Sequence, residues 1–178
     1  MILALDISTS ITGVAVLDKL GEPLCCEAWD TRNPKTYSDI FLKAKEIERR
    51  LRELKTLYPK IEHVYIEKSL QSFRSGFSSA KTLSTLSAFN GIVSWLAYQV
   101  FFITPEYVAA SSARKLAGVK IPKGQKAKLV VLQHLLDNEE SFEIEYTKQG
   151  NPKPGSYDRA DALIVAKAGY TLCQNNKS

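Results

Sequence analysis

The spacing of hydrophobic positions changes rhythm along this chain, and each change marks an element. Residues 2–7, about 12–18 and about 24–29 are short apolar runs that read as strands. Gly13 and the stretch Asp18-Lys19-Leu20-Gly21-Glu22-Pro23 supply turns, so a meander of antiparallel strands is expected. Ile40, Phe41, Ala44, Ile47, Leu51, Leu54 and Tyr58 then recur at helical spacing, with Thr36 or Ser38 as cap and Pro59 as stop. A strand at His63–Glu67 follows, then a polar loop from Ser69 to Ser79 and a long helix near 80–98. Val100 to Thr104 reads as a strand, and Pro105 as the opening of a helix over about 105–117 that Gly118 closes. Pro122 is expected to start another helix, bearing Leu129, Val130, Leu132, Gln133 and Leu136. Residues 138–156 look like a loop or short hairpin, and a last helix runs from about Tyr157 to Cys173. The order β-β-β-α-β-α-β-α-α-α predicts an α/β domain with a mixed sheet, with no repeat or linker to divide residues 1–178.

Against this pattern four acids stand out. Asp6 interrupts the apolar run Met1 to Ile7, and Glu67 ends the apolar strand Val64-Tyr65-Ile66. A carboxylate is costly to bury beside apolar neighbours unless something pairs with it. Asp158 and Asp161, spaced i and i+3, share one side of the last helix, with Cβ atoms roughly 5–6 Å apart. Ala160, Ala162, Ile164, Val165 and Ala168 would pack that helix on the sheet. If its start lies over the ends of the first and fourth strands, the four carboxylates meet. Oxygen donors without a histidine pair favour Mg²⁺ or Mn²⁺ over Zn²⁺. Two such ions, about 3.5–4 Å apart, activate water and stabilise a leaving 3′-oxygen in phosphodiester hydrolysis. Taken singly, each acid also has a structural role open to it. Asp6 could cap a turn with Ser8 or Thr9, Glu67 could be an edge charge, and Asp158 and Asp161 could serve the helix itself.

Charge placement narrows the partner. The 178 residues carry a net charge of +5, but between Glu67 and Asp137 nine bases face one acid, Glu106. The bases are Lys68, Arg74, Lys81, Arg114, Lys115, Lys120, Lys123, Lys126 and Lys128. Such asymmetry points to a polyanion, most simply nucleic acid. Lysines around Pro122 and Gly124 would contact phosphates, with Lys123 or Lys126 nearest a scissile one. Cys25, Cys26 and Cys173 form no CxxC pair and read as reduced thiols, the two neighbours pointing to opposite faces of a strand. No apolar run is long enough to span a bilayer, and Met1 to Ile7 lacks the basic start of a signal peptide, so a cytoplasmic protein is expected.

Three segments carry a resemblance. Leu3-Ala4-Leu5-Asp6-Ile7-Ser8-Thr9-Ser10-Ile11-Thr12-Gly13-Val14-Ala15-Val16 resembles the first strand, Asp-containing turn and glycine-led second strand of the RuvC family of Holliday-junction resolvases, within the RNase H-like superfamily. Val64-Tyr65-Ile66-Glu67 resembles the strand that delivers the family's glutamate, and Tyr157-Asp158-Arg159-Ala160-Asp161-Ala162-Leu163 its terminal Asp-x-x-Asp-Ala helix. Pro105 to Lys128 is also similar, and the likeness runs in order through nearly the whole chain. It implies an RNase H-like fold with a mixed five-stranded sheet flanked by helices. It also implies Asp6, Glu67, Asp158 and Asp161 as catalytic, metal-binding acids. The implied activity is nicking of four-way junctions, and of other branched DNA, by a homodimer formed through the helix at 80–98.

The implied DNA contacts include Arg114, Lys115, Lys120, Lys123, Lys126 and Lys128. Leu70 stands where the family often has an aromatic, so Phe73, Phe77 and Arg74 become the candidates for stacking on bases and holding the strand. The segment from Glu139 to Ser156 departs from the pattern; its Tyr146, Lys148 and Lys153, with Tyr157, either contact DNA or merely decorate the surface. The compact length and this divergent segment suggest a phage-encoded member acting in a bacterial cytoplasm. Competing readings are an RNase H-type ribonuclease on hybrid or structured RNA, an ATPase of the actin and sugar-kinase type, and a non-catalytic junction-binding protein. The chain has too few glycines for the ATPase, and a scaffold has no use for repelling acids beside DNA.

Overall fold

The computed structural model describes residues 1–68 and 80–175. The opening run forms β1 (Ile2–Asp6), followed by β2 (Ile11–Leu17), β3 (Pro23–Asp30), α1 (Ile40–Leu57), β4 (His63–Glu67) and α2 (Ala80–Phe101). Then come β5 (Glu106–Val108), α3 (Ala110–Leu116), α4 (Ala127–Asn138) and α5 (Ser156–Asn175). One sheet of five strands results, in the order β3-β2-β1-β4-β5. β1 pairs antiparallel with β2 and parallel with β4, β2 pairs antiparallel with β3, and β4 pairs parallel with β5. This is the mixed five-stranded α/β sheet that the element order implies.

Strand periodicity explains why β1 is apolar almost throughout. Leu3 and Leu5 face one side with Val14, Val16, Val64 and Ile66, where α1 and α2 cover them. Ile2 and Ala4 face the other with Ala15, Leu17 and Tyr65, under α5 and its neighbours. A strand buried on both faces has no polar face to show until its end, which is where Asp6 stands. Cys25 and Cys26 divide between the same two cores, and all three cysteines are free thiols. Burial pushes the Cys25 thiol up to about 12, with Glu27 adding to the effect, so it stays protonated.

Gly13 lies inside β2 rather than in a turn. A Cβ there would sit 1.9 Å from the backbone oxygen of Asp158. Only glycine lets the first turn of α5 rest on the strand, and this contact sets where Asp158 and Asp161 stand.

Several boundaries differ from expectation. The cap of α1 is Asp39, whose carboxylate accepts from Phe41 N at 2.8 Å and Leu42 N at 3.0 Å; Thr36 and Ser38 do not take that role. Phe41 faces solvent, and the buried stripe is Ala44, Ile47, Leu51 and Leu54. Val100 and Phe101 finish α2 instead of starting a strand, because both continue its buried stripe of Phe89, Val93 and Ala97. Phe102, at φ 58, then ends the helix. Pro105 precedes the short strand β5, not a helix, and α3 begins only at Ala110. Pro122 and Gly124 form a turn closed by Gln125 N bonding Pro122 O at 3.1 Å, and α4 starts five residues beyond Pro122. Gly118 does follow the end of α3, at φ 78. Residues 145–153 form a hairpin-like turn with a bridge between Tyr146 and Pro152, and Lys153 pairs with Glu145.

Candidate active site

Register brings the acids to one end of the molecule. Asp6 is opposite Gly13, Leu5 is opposite Ile66, and Glu67 is the next residue along β4. The neighbouring parallel strands β1 and β4 therefore end together, each on a carboxylate. The first turn of α5 crosses above them because Gly13 admits it. All four acids are half-buried, so each keeps an edge that solvent or substrate can reach.

Asp6 is the shared member of the group. Burial holds its carboxyl well above the usual carboxylate range, and Glu67, Asp161 and Asp158 raise it further in that order. Burial, and then Asp161, push Glu67 up to about 7. Asp161 and Asp158 are also raised, chiefly by burial. Such a set is costly to ionise without a cation among it. Among the described residues, no three acid, cysteine or histidine side chains converge tightly enough to make a ready ion-binding group. The carboxylates sit within electrostatic reach of one another without sharing a point. Their chemistry nevertheless fits a hard divalent cation: oxygen donors only, desolvated, mutually repelling and partly open.

Two cations on the helices offset the acids. Lys128, in the first turn of α4, places Nζ 4.0 Å from Asp161 Oδ2 and acts on all four carboxyls. Arg114 on α3 lowers Glu67 and Asp161. Lys128 thus takes the place near the acids that Lys123 or Lys126 was expected to hold. Those two stand off because α4 begins later than Pro122 suggests. Lys123 lies in the exposed turn and Lys126 is the residue before the helix. Lys115 and Lys120 are likewise exposed on the α3–α4 side. Arg74, Phe73 and Phe77, with Leu70, lie outside the described residues. A base that the sequence did not single out, Arg32 just past β3, also lowers Asp158. Only the strand register could have found it.

In the helix expected to pair two copies, α2, Phe89, Val93 and Ala97 are buried, while Leu83, Leu86, Ile92 and Leu96 are half-buried. Trp95 and Tyr98 are exposed on it. No helix among the described residues is long and apolar enough to cross a membrane.

No protein-family model matches this chain, and no characterised protein matches it in sequence. Solved structures do match in backbone. RuvC of T. thermophilus in complex with Holliday junction substrate superposes with a TM-score of 0.66 and 16% identity, over 98% of this chain and 94% of that one. A further structure of Thermus thermophilus RuvC gives 0.60 and 17%, over 98% and 96%. The yeast mitochondrial Holliday junction resolvase Ydc2 gives 0.64 and 13%, over 99% and 80%. In its backbone, then, this chain has the RNase H-like fold of the RuvC-type resolvases.

Proposed function

We propose that this protein is a metal-dependent endodeoxyribonuclease that nicks four-way DNA junctions and other branched DNA, working as a homodimer through α2. The observation that carries the reading is Asp6, a carboxyl at the end of a buried strand whose three nearest acids all raise its pKa. Asp6, Glu67, Asp158 and Asp161 would hold Mg²⁺ or Mn²⁺, as two ions. Cations bound there would make a water more acidic and offset charge on the departing 3′-oxygen.

The chain's own groups do the rest. β1, β4 and the packing of α5 on Gly13 fix the backbone that carries the four carboxylates. Lys128 and Arg114 attract the phosphate and stabilise the charge that grows on it. Lys115, Lys120, Lys123 and Lys126 hold the phosphates beyond, contributing affinity without sequence readout. Water oxygen bonds to phosphorus, the bond from phosphorus to the 3′-oxygen breaks, and that oxygen takes up a proton.

The deciding assay incubates fixed and mobile four-way junctions, a flap and an RNA–DNA hybrid with the protein in Mg²⁺, Mn²⁺ or chelator, and maps the nicks. Paired nicks near the junction centre, lost in chelator and in Asp6→Asn, are expected. Cutting of the hybrid with intact junctions would transfer the site to a ribonuclease. Junction binding without cutting in either metal would leave only a scaffold.

A further inference from the structure

The β3 edge of the sheet also carries a cation. β3 runs parallel to β1 because two antiparallel pairings separate them, and Ile11 pairs with Asp30. Asp30 therefore ends at the same rim as Asp6 and Glu67, about 10 Å from β1 at two strand spacings. Just beyond it the chain is pinned. Thr31, 1% exposed, donates from its backbone N to Ser10 O at 2.9 Å, and its hydroxyl bonds the same carbonyl at 3.2 Å. Lys43 Nζ donates to Thr9 O from the other side.

Arg32 projects from this anchored turn. Its Nε and Nη2 face Asp30, at 2.9 Å from Oδ1 and 2.5 Å from Oδ2, and its own backbone N bonds Oδ1 at 2.9 Å. That fork fixes the guanidinium plane and uses one edge. Nη1 has no hydrogen bond among the described residues, and the side chain is 48% exposed. It borders an open recess of about 500 Å³ lined by Asp30, Arg32 and Asn33. Lys35 is exposed in the same connection. Arg32 also acts electrostatically on Asp158, and the strand register puts Asp30 at the same rim as Asp6.

We infer that Arg32 is a second phosphate anchor, gripping the nucleic-acid strand at the β3 edge of the sheet while Lys128 on α4 and Arg114 on α3 grip it from the helices above the acids. The inference rests on the nuclease reading above. An orienting carboxylate on one edge of a guanidinium leaves the other edge aimed and pre-organised for a phosphate. Cations at the β3 edge and on the helices over the acids would seat a strand across the carboxyl ends of β3, β1 and β4, with the reacting phosphodiester beside the carboxylates. Arg32 is thus a positioning residue, not one of the reacting groups.

The test measures binding of a fixed four-way DNA junction by anisotropy, in chelator, across a salt series. Wild type, Arg32→Ala, Arg32→Lys and the remote Lys19→Ala are compared. Arg32→Ala is expected to bind about tenfold more weakly and to lower the slope of log affinity on log salt by about one. Arg32→Lys should restore the slope but not the full affinity, and Lys19→Ala should match wild type. Should Arg32→Ala fail to fold, Arg32→Gln carries the same expected slope loss. Unchanged affinity and slope in Arg32→Ala, or an equal loss in Lys19→Ala, overturns the inference while wild-type binding upholds the reading beneath it. A wild type that does not bind the junction overturns both.

Discussion

The acids on the outer face of α1 and the acids at the end of the sheet live under opposite electrostatics. On α1, Glu46 meets Arg49 at 2.6 Å and Arg50 at 3.1 Å, Glu53 meets Arg49, and Glu48 meets Arg52 at 2.6 Å. Each partner stands three or four residues away, and the Arg49 hydrogen bond lowers Glu46 below its usual range. At the sheet end the carboxyls have been gathered from residues 6, 67, 158 and 161; burial raises every one, and repulsion from the others adds to it at Asp6, Glu67 and Asp161. Local pairing makes an acid comfortable and nearly inert. Assembly at a distance makes it costly to keep, and such a cost is tolerated where the charge is used.

The sharpest break in this contrast is Asp6→Asn. Nicking should fall by more than the roughly 100-fold that loss of an outer partner of a metal ligand causes. Junction binding measured in the same preparation should persist. If the variant nicks at the wild-type rate, Asp6 is not part of the site.

Next in size is Gly13→Ala, which forces a methyl into the Asp158 carbonyl. A loss of at least about 2 kcal/mol is expected, read from urea unfolding. Stability equal to wild type would mean that α5 does not rest on β2 as described.

A smaller effect concerns pH. In chelator, the folded protein keeps a proton on Glu67 up to about pH 7, whereas the unfolded chain releases it near the ordinary glutamate value. The folded state then binds more protons across that interval. Its stability is full below the unfolded value and is lost as pH rises through 7. Glu67→Gln should flatten this decline. The difference should be a few degrees in melting temperature, where ~1 kcal/mol shifts a chain of this size by roughly 2–4 °C. Mg²⁺ should raise the wild-type midpoint at pH 8 and leave Asp6→Asn nearly unmoved. A wild type that grows steadily more stable from pH 5 to 8 in chelator contradicts the assignment.

The least effect belongs to α1. Glu46→Gln should alter stability by under about 0.5 kcal/mol and leave nicking untouched, because its arginine partners are exposed and screened. A larger drop would erase the distinction drawn between the two groups.

The sequence discloses these features unevenly. β1, β4 and the acids they end on are legible because an ionisable residue breaks a buried run, and α5 is legible from its i, i+3 acids and small neighbours. The boundary at Val100 was not, since a short apolar stretch suits a helix end as well as a strand, and its stripe with Phe89, Val93 and Ala97 decides the matter only in three dimensions. Pro105 was ambiguous for a similar reason: its fixed φ suits the residue before a strand as well as a helix start. Lys128 and Arg32 were illegible as neighbours of the acids. One depends on where α4 begins, the other on the register of β3 against β2. Periodicity finds what faces inward; it does not say which exposed base ends up beside which acid.

Because α5 alone supplies Asp158 and Asp161, and also covers one face of the sheet, the last carboxylates and the last hydrophobic cover arrive together. A ribosome that has translated only as far as α4 has made a polypeptide with two of the four acids and an uncovered greasy surface. Truncation before Ser156 is therefore expected to remove half of the acidic cluster and the cover of one sheet face in a single step.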